Sequence, residues 1–207
     1  MDFDVPQKNG VTFMYVLPFS STEALVEYTL FSAELLDDQA YNEGLQDYLA
    51  DRLGLAPNDY TITYVEDGVI PMEDRRYSVK WAPRVWNTGS VGGLTKPSTG
   101  YTFIRIQRQN RVINDALAQG KDPVLRAGSP YRFRVYDIML LYQLLNHPDT
   151  SVHIFHELFR RNRMDALLHF LGEQTHPGQE ARIFASLPWM PFFQSIFKMK
   201  GRLLTGA

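Results

Sequence analysis

The spacing of apolar residues changes part-way along the chain, and this change constrains the fold more than any other feature of the sequence. Apolar and polar residues alternate in VTFMYVLPF (11–19) and in ALVEYTLF (24–31), which predicts two strands. Because only a short connection separates them, we expect an antiparallel hairpin. From Ile104 onward, apolar residues recur at helical spacing instead. The sequence therefore predicts an α+β protein.

The same patterns predict the remaining elements. YTITYVEDG (60–68) alternates like a strand, and PRVWNTGSV (83–91) predicts a short one. The predicted helices are 37–55, one ending near Gly120, Arg132–Asn146, Ser151–Gly172 and Glu180–Leu187. Three regions result: a strand-rich region with one helix (1–88), a loop with its helix (89–120) and a helical region (121–207).

Composition excludes several classes of function. The 207 residues carry a net charge of −2, which argues against a nucleic-acid partner because neutralising phosphates requires a basic excess. The chain has no cysteine, so disulfides and thiolate metal sites are excluded. Residues 1–13 have neither a basic nor an apolar signal region, so we expect no signal peptide there. No apolar run reaches the ~18 residues of a membrane span.

The glycine-rich stretch GSVGGLTKPSTGY (89–101) lies between a predicted strand and a predicted helix. Glycines allow close approach of the backbone, and a helix N-terminus favours negative charge, so this stretch suits an anion such as phosphate. It is neither a Walker loop, because Pro97 follows Lys96, nor a GxGxxG loop. An ordinary strand-to-helix turn explains the same pattern equally well.

Glu27 is the only acidic residue within the two hairpin strands. It shares a predicted strand face with Leu25, Thr29 and Phe31. A carboxyl group among apolar neighbours keeps its proton more readily than one in water, which would make Glu27 a usable general acid. The alternative is that this face is wet and Glu27 is solvated.

Two other groups of residues are candidates for functional sites. HIFHE places His153 and His156 three positions apart, but the HExxH arrangement is absent, so we expect no metal. The tail carries aromatic and apolar residues followed by basic ones, which suits a membrane surface; packing against the helical region is the alternative. These tail residues are Trp189, Met190, Phe192, Phe193, Ile196, Phe197, Lys198, Lys200 and Arg202.

An ordered series of segments resembles the bacterial lycopene cyclase family, which are flavoproteins of carotenoid biosynthesis. Each segment is unspecific by itself, but their order along the chain is specific. The segments are MDFDVPQ, FMYVLPFSSTEALVEYT, GVIPM, GGLTKPSTGY, YRFRVYDIMLLYQLL, IFHELFRRNRMDALLHFLGEQT and LPWMPFF. The resemblance extends over nearly the whole sequence.

This resemblance implies a two-domain FAD-dependent flavoprotein fold, with the glycine-rich stretch near the flavin. The implied cofactor-binding residues are Gly92, Gly93, Pro97, Ser98, Thr99, Gly100 and Tyr101. Glu27 matches the family's proposed catalytic glutamate, whereas Tyr28 departs from the acidic residue that some members carry there. The N-terminal GxGxxG fingerprint of such flavoproteins is absent from this sequence. We therefore expect a C-terminal part of an enzyme, inactive by itself.

The implied activity is a non-redox cyclisation of the linear ends of lycopene to β-rings, of the intramolecular lyase or isomerase type. Protonated Glu27 would start the reaction, reduced FAD with NAD(P)H as reductant would support it, and Phe13, Tyr15 and Phe31 would line the substrate channel. Because lycopene resides in bilayers, a peripheral cytoplasmic location on the inner membrane is implied. The alternatives are another FAD-dependent oxidoreductase or monooxygenase of the same superfamily, or an inactive membrane-binding fragment.

Overall fold

The computed structural model describes residues 1–125 and 129–199, without the side chains of Gln194, Ser195 and Phe197. These residues form two small antiparallel sheets and seven helices, which confirms the α+β class. The strands are β1 Val11–Pro18, β2 Ala24–Phe31, β3 Lys80–Ala82 and β4 Val85–Trp86. The helices are α1 Asp38–Leu53, α2 Phe103–Ala118, α3 Tyr131–Asn146, α4 Pro148–Arg161, α5 Met164–Leu171, α6 Pro177–Ala185 and α7 Trp189–Lys198.

The predicted hairpin is confirmed. β1 pairs with β2 antiparallel, in a register that runs from Val11 opposite Phe31 to Pro18 opposite Ala24. Met14 also exchanges two backbone hydrogen bonds with Asp2, of 2.8 and 2.9 Å. The first four residues of β1 are buried, so side chains on both faces of this end of the strand are covered.

Helix α1 also follows the prediction. The side chain of Asp37 accepts a hydrogen bond from the backbone N–H of Ala40 (2.8 Å), which caps the helix start. Gly54 ends the helix in the left-handed conformation, with φ 66°, which favours glycine. The buried ring of Tyr48 lies on this helix and donates from its hydroxyl to Asp2 (3.0 Å).

The chain divides into two compact units. One consists of Met1–Gly68 with Leu144–His153, and the other of Val69–Gln143 with Ile154–Ala207. The first unit contains the hairpin and α1, and the second contains the glycine-rich stretch and most of the helical region.

Two sequence predictions were wrong. Residues 60–68 form no strand, because a strand needs a hydrogen-bonded neighbour and the described part of the chain supplies none there. The predicted helix Ser151–Gly172 is two helices, α4 and α5. The break occurs where Arg163 adopts an extended backbone (φ −71°, ψ 143°) and Asn162 Nδ2 donates to the oxygens of Leu158 (2.9 Å) and Ser186 (2.7 Å).

An apolar cluster joins α4, α5 and α6 in the second unit. Its buried members are Leu158, Leu167 and Ile183, packed by Phe159, Phe170 and Leu187. Rings from α3 extend the cluster, since Tyr136 contacts Phe184 with centroids 4.6 Å apart. This packing holds α3 in place. Asp137 of α3 contacts Lys96 and Ser98 in the glycine-rich stretch.

Helix α7 is held at its start by α3. Gln143 Nε2 donates to the backbone oxygen of Pro191 at 2.7 Å, and the Gln143 side chain is fully buried. On either side of Pro191, α7 exposes Trp189, Met190 and Phe193, each by more than half. Among the described helices, none is both long and apolar enough to cross a membrane.

Candidate functional site

The first half of the glycine-rich stretch folds against its own chain. A Cβ at Gly92 would lie 2.5 Å from the backbone oxygen of Asn87, and one at Gly93 would lie 2.7 Å from the ring of Tyr77. Gly93 also has a positive φ of 71°, which disfavours other residues. The close approach that these two glycines permit is therefore a contact within the protein.

The second half, Lys96–Tyr101, is a tight turn that the backbone of Lys96 closes. The N–H of Lys96 donates to the oxygen of Tyr101 (2.8 Å), and the Lys96 oxygen accepts from the N–H groups of Thr99 (3.2 Å) and Gly100 (2.9 Å). We call residues 96–101 the KPSTGY turn. Because α2 begins at Phe103, this turn sets where the helix starts.

Beneath the turn lies a buried polar centre, defined here as Lys96, Ser98, Asp137 and Glu173. Lys96 Nζ is 2.6 Å from Asp137 Oδ1 and 3.3 Å from Glu173 Oε1, and the three side chains are 4%, 2% and 9% exposed. The Ser98 hydroxyl donates to the same Asp137 oxygen. One cation thus joins the turn to α3 and to the segment after α5.

The polar centre continues to α2. Ser129 Oγ donates to Glu173, and Arg105 Nη2 donates to Ser129 Oγ at 3.0 Å. Arg108 Nη1 donates to the backbone oxygen of Gly172 at 2.8 Å. Two residues of α2 are therefore tied to the segment that carries Glu173, so the helix and the turn share one network.

Asp137 is the most enclosed acid of this centre. Burial raises the pKa of Asp137, while the charge of Lys96 and the hydrogen bonds from Lys96 and Ser98 oppose that rise. Asp137 Oδ2 is buried and has no hydrogen-bond partner among the described residues. An ionised carboxylate with one unpaired buried oxygen is costly, which is consistent with the direction of the shift.

The start of α2 presents free backbone donors beside exposed rings. The first intrahelical bond runs from the N–H of Ile106 to the oxygen of Thr102 (3.0 Å), and the Thr102 side chain does not cap the helix. The N–H groups of the first three helical residues therefore have no partner within the helix. Tyr101 and Phe103 are 56% and 69% exposed next to them.

Glu27 lies at the surface of the hairpin. Its side chain is exposed and accepts a hydrogen bond from Thr29 Oγ1 at 2.8 Å, with Tyr15 opposite on β1. The structure shows the solvated alternative for Glu27, because the buried part of that face lies around Phe13, nearer the other end of the hairpin. Its catalytic role stays a prediction.

The predicted substrate-binding aromatics form a cluster in the first unit. Phe13 is 1% exposed, with ring centroids 5.1 Å from Tyr15, 5.4 Å from Phe31 and 5.0 Å from Phe3. Tyr15 and Phe31 are half-buried. In this structure Phe13 faces other rings, and Tyr15 and Phe31 are the predicted substrate residues that keep exposed surface.

A comparison with protein-family models decides the family. The model described as "Lycopene cyclase protein" matches residues 1–197. The chain belongs to the lycopene cyclase family. No curated protein and no solved structure matches the chain. The family match supports a carotenoid cyclase role and a carotenoid substrate in general, and the family is generally FAD-dependent.

The described residues of this lycopene cyclase family member fit a flavin at the start of α2. A flavin ring is flat and aromatic, and its pyrimidine edge carries carbonyl oxygens. Exposed Tyr101 and Phe103 offer apolar cover, and the unpaired N–H groups of α2 offer donors for the carbonyl edge. Of the predicted cofactor residues, Ser98 instead faces Asp137, and Pro97, Thr99 and Gly100 are half-buried.

On α4, His153, His156 and Glu157 each place one potential metal-ligand atom within 4.8 Å of the others, but ion pairs already engage Glu157. Glu157 contacts Arg160 (3.0 Å), Arg161 and His156 (3.3 Å). Burial works against ionisation of Glu157, but the hydrogen bond and charge of Arg160 and the charge of Arg161 lower its pKa. Two guanidinium groups already neutralise this carboxylate, which makes it a poor metal ligand.

Sequence reasoning missed three residues of the polar centre. Lys96 lies in a glycine-rich stretch that is not a Walker loop, Asp137 lies inside a helical apolar pattern, and Glu173 follows a glycine that ends a helix. The available signal was an acidic residue within the apolar run VYDIMLL (135–141), which needs a buried partner. That partner is 41 positions away, which no local pattern shows.

Proposed function

We propose that this protein cyclises the linear ends of lycopene to β-rings, with reduced FAD bound at the KPSTGY turn and the start of α2. The supporting observation is the family match over residues 1–197 together with unpaired helix donors beside exposed rings. The reaction is an isomerisation, so no atoms and no net electrons are gained or lost.

Glu27 holds the proton that begins the reaction. Its carboxyl O–H gives the proton to a terminal alkene carbon of lycopene, which leaves a carbocation on the neighbouring carbon. A second double bond of the same molecule then attacks that carbocation and closes the ring, and loss of a proton from a ring carbon completes the balance. Because Glu27 is exposed in this structure, the apolar substrate itself excludes water from it.

The second unit contributes binding and orientation. The N–H groups at the start of α2 would hold the flavin through its carbonyl oxygens, with the exposed rings of Tyr101 and Phe103 beside it. When bound, the reduced flavin, for which NAD(P)H is the reductant, supplies negative charge that stabilises positive charge in the transition state. In the first unit, Tyr15 and Phe31 offer ring faces that stabilise positive charge on the substrate.

The exposed face of α7 binds the membrane surface in this proposal. Trp189 is 60% and Phe193 52% exposed, with rings 5.5 Å apart, and exposed Lys198 ends the helix. Lys200 and Arg202, also predicted for this surface, lie outside the described residues. Aromatic rings beside a basic end suit an anionic leaflet. A peripheral position on the cytoplasmic face gives access to lycopene in the bilayer.

The test uses cells that accumulate lycopene and express the enzyme that contains this sequence. Chromatography of the extracted carotenoids should show conversion of lycopene to products with β-rings and unchanged mass. Oxygenated or reduced carotenoids would instead indicate another flavin-dependent oxidoreductase. Unchanged lycopene, with flavin bound to the purified enzyme, would overturn the proposed activity.

A further inference from the structure

Lys96 holds the KPSTGY turn in two independent ways. Its backbone makes all three of the hydrogen bonds that close the turn, to Thr99, Gly100 and Tyr101. Its side chain reaches down from the turn to two carboxylates on separate elements, Asp137 and Glu173. Moving the ammonium group therefore moves the turn, because backbone and side chain belong to one residue.

Glu173 contacts Lys96 from a strained backbone conformation. Glu173 has φ 58°, in the left-handed region, while the adjacent Gly172 has an ordinary φ of −78°. The hydrogen bonds from Glu173 N to Phe170 O and from Gln174 N to His169 O are those of a Schellman helix end, in which glycine usually takes the left-handed position. Glutamate occupies that position here, and its carboxylate is buried against Lys96 and Ser129.

Glu180 is a second buried acid in the same unit, and its contacts only hold neighbouring elements together. Glu180 is 1% exposed and accepts from Arg132 Nε (3.0 Å), Tyr136 Oη (3.0 Å) and Thr175 Oγ1 (3.2 Å). These contacts join α6 to α3 and to the segment before α6, and none involves residues 89–105. Glu180 is therefore a matched control for the acids of the polar centre.

We propose that Lys96, fixed by Asp137 and Glu173, is a positioning residue that sets the conformation of the KPSTGY turn and the direction of the first N–H groups of α2. This inference rests on the proposed function, because those N–H groups are the donors assigned to the flavin. Arg105 supports the same arrangement, since it reaches Glu173 through Ser129 from the first turn of α2.

A cation is suited to this task because the turn has few apolar contacts of its own. Its residues after Lys96 are proline, serine, threonine, glycine and an exposed tyrosine, which bury little apolar area. A buried ammonium group bound to two carboxylates has one favourable position, because any displacement leaves charge unpaired in an apolar surrounding. The turn therefore takes the geometry that the carboxylates impose.

The experiment separates positioning from stability with Lys96→Met, with Lys96→Met/Asp137→Asn, and with Glu180→Gln as control. The double variant removes both charges of the 2.6 Å pair, so it leaves no unpaired charge from that pair. Hydrogen exchange of the Thr99 and Gly100 amides reports the turn, Tm reports stability, and the visible absorption of bound flavin reports the ligand. Each is measured on the enzyme that contains this sequence.

We expect Lys96→Met to lower Tm and the double variant to recover part of the loss. The Thr99 and Gly100 amides should exchange about tenfold faster or more in both, because the turn opens locally. The flavin absorption band should shift in both variants. In Glu180→Gln, neither the exchange of the Thr99 and Gly100 amides nor the flavin absorption should change. If Lys96→Met does not fold, the exchange rates of the Thr99 and Gly100 amides in the double variant and in Asp137→Asn are compared with those of the unmutated enzyme instead.

Recovery of turn protection together with Tm in the double variant would overturn the inference, because Lys96 would then serve stability alone. Equal acceleration of exchange in Glu180→Gln would overturn it as well. Absence of flavin from the unmutated enzyme contradicts the proposed function instead. Hydrogen exchange at Thr99 and Gly100 then decides by itself whether Lys96 sets the turn.

Discussion

Glu27 and Asp137 are acids in opposite surroundings. Glu27 lies on a strand between apolar residues, and its side chain is exposed with one hydrogen bond, from Thr29. Asp137 lies on a helix between apolar residues, and its side chain is 2% exposed, beside Lys96. The two local sequences look alike, since VEYTL (26–30) and YDIML (136–140) both surround one acid with mainly apolar or aromatic neighbours.

The comparison shows that the burial of a side chain depends on whether another part of the protein covers its face of the strand or helix, and not on its neighbours along the chain. The hairpin is two-stranded, and side chains on a strand alternate between faces, so residues next to Glu27 in sequence point away from it. The face of α3 that carries Asp137 is covered by the KPSTGY turn and by Glu173. At the polar centre the buried acid Asp137 is therefore paired with a buried cation, Lys96.

The largest expected effect is on catalysis at the exposed acid. We expect Glu27→Gln, made in the enzyme that contains this sequence, to lower β-ring formation by about a thousandfold or more, since Gln keeps the shape but has no proton to give. Flavin content should not change. The measurement is chromatography of carotenoids from lycopene-accumulating cells, with flavin absorbance of the purified protein.

Glu23→Gln is the matched control for this prediction. Glu23 is exposed in the turn of the same hairpin, where its backbone oxygen accepts from Phe19 and Ser20. Its replacement should leave ring formation unchanged. Normal β-ring yield from Glu27→Gln would remove Glu27 from the mechanism.

The second effect is on stability and should appear only at the buried site. We expect Lys96→Met to lower the free energy of unfolding by about 3–5 kcal/mol, because two buried carboxylates lose their cation. Exposed Lys8→Met, the control, should change it by no more than about 0.5 kcal/mol. Urea denaturation measures both. A small loss at Lys96 would mean that water reaches the polar centre.

Local patterns predicted most of the elements because their causes are local. The hairpin follows from alternation over residues 11–31, and α1 follows from helical spacing bounded by Asp37 and Gly54. The wrong strand at 60–68 has the same alternation as β2, but no described strand pairs with it. Alternation predicts that a segment can pair and does not supply its partner.

The candidate site was only partly predictable for the same reason. The glycine-rich stretch and the helix after it were found from composition, because glycine and proline have local conformational consequences. The contact of Lys96 with Asp137 and Glu173 joins residues 41 and 77 positions apart. The left-handed residue is Glu173, although Gly172 is the residue that its local sequence favours.

The third prediction extends the comparison of exposed and buried side chains to aromatic residues. Replacing Trp189 and Phe193 by Ala should weaken co-sedimentation with anionic vesicles about thirtyfold, because partial burial of two rings in lipid contributes about 2 kcal/mol. Trp81→Ala is the control, since Trp81 is 80% exposed but lies on β3. Unchanged sedimentation would show that α7 does not bind the membrane through these rings.

The smallest expected effect concerns a single proton at the buried acid. Burial raises the pKa of Asp137 above its ordinary value of 3.8, against the opposing charge of Lys96, so the folded protein binds this proton more tightly than the unfolded chain. The resulting stabilisation is present below pH 3.8 and is lost as the pH rises through the folded-state pKa. Relative to Asp137→Asn, the unmutated protein should therefore lose stability with rising pH.

The pKa of Glu157 is shifted in the opposite direction from that of Asp137, so its effect on stability has the opposite pH dependence. Burial raises the pKa of Glu157, but Arg160 and Arg161 together lower it by more. The net shift is therefore downward from 4.5. Its contribution is present above that value and is lost as the pH falls through the folded-state pKa. Relative to Glu157→Gln, the unmutated protein should lose stability with falling pH. Urea denaturation of the three proteins between about pH 3 and pH 8 covers both ordinary carboxyl values. If the difference for Asp137→Asn has the same sign as that for Glu157→Gln, Lys96 outweighs burial and Asp137 is an ordinary ion-paired acid.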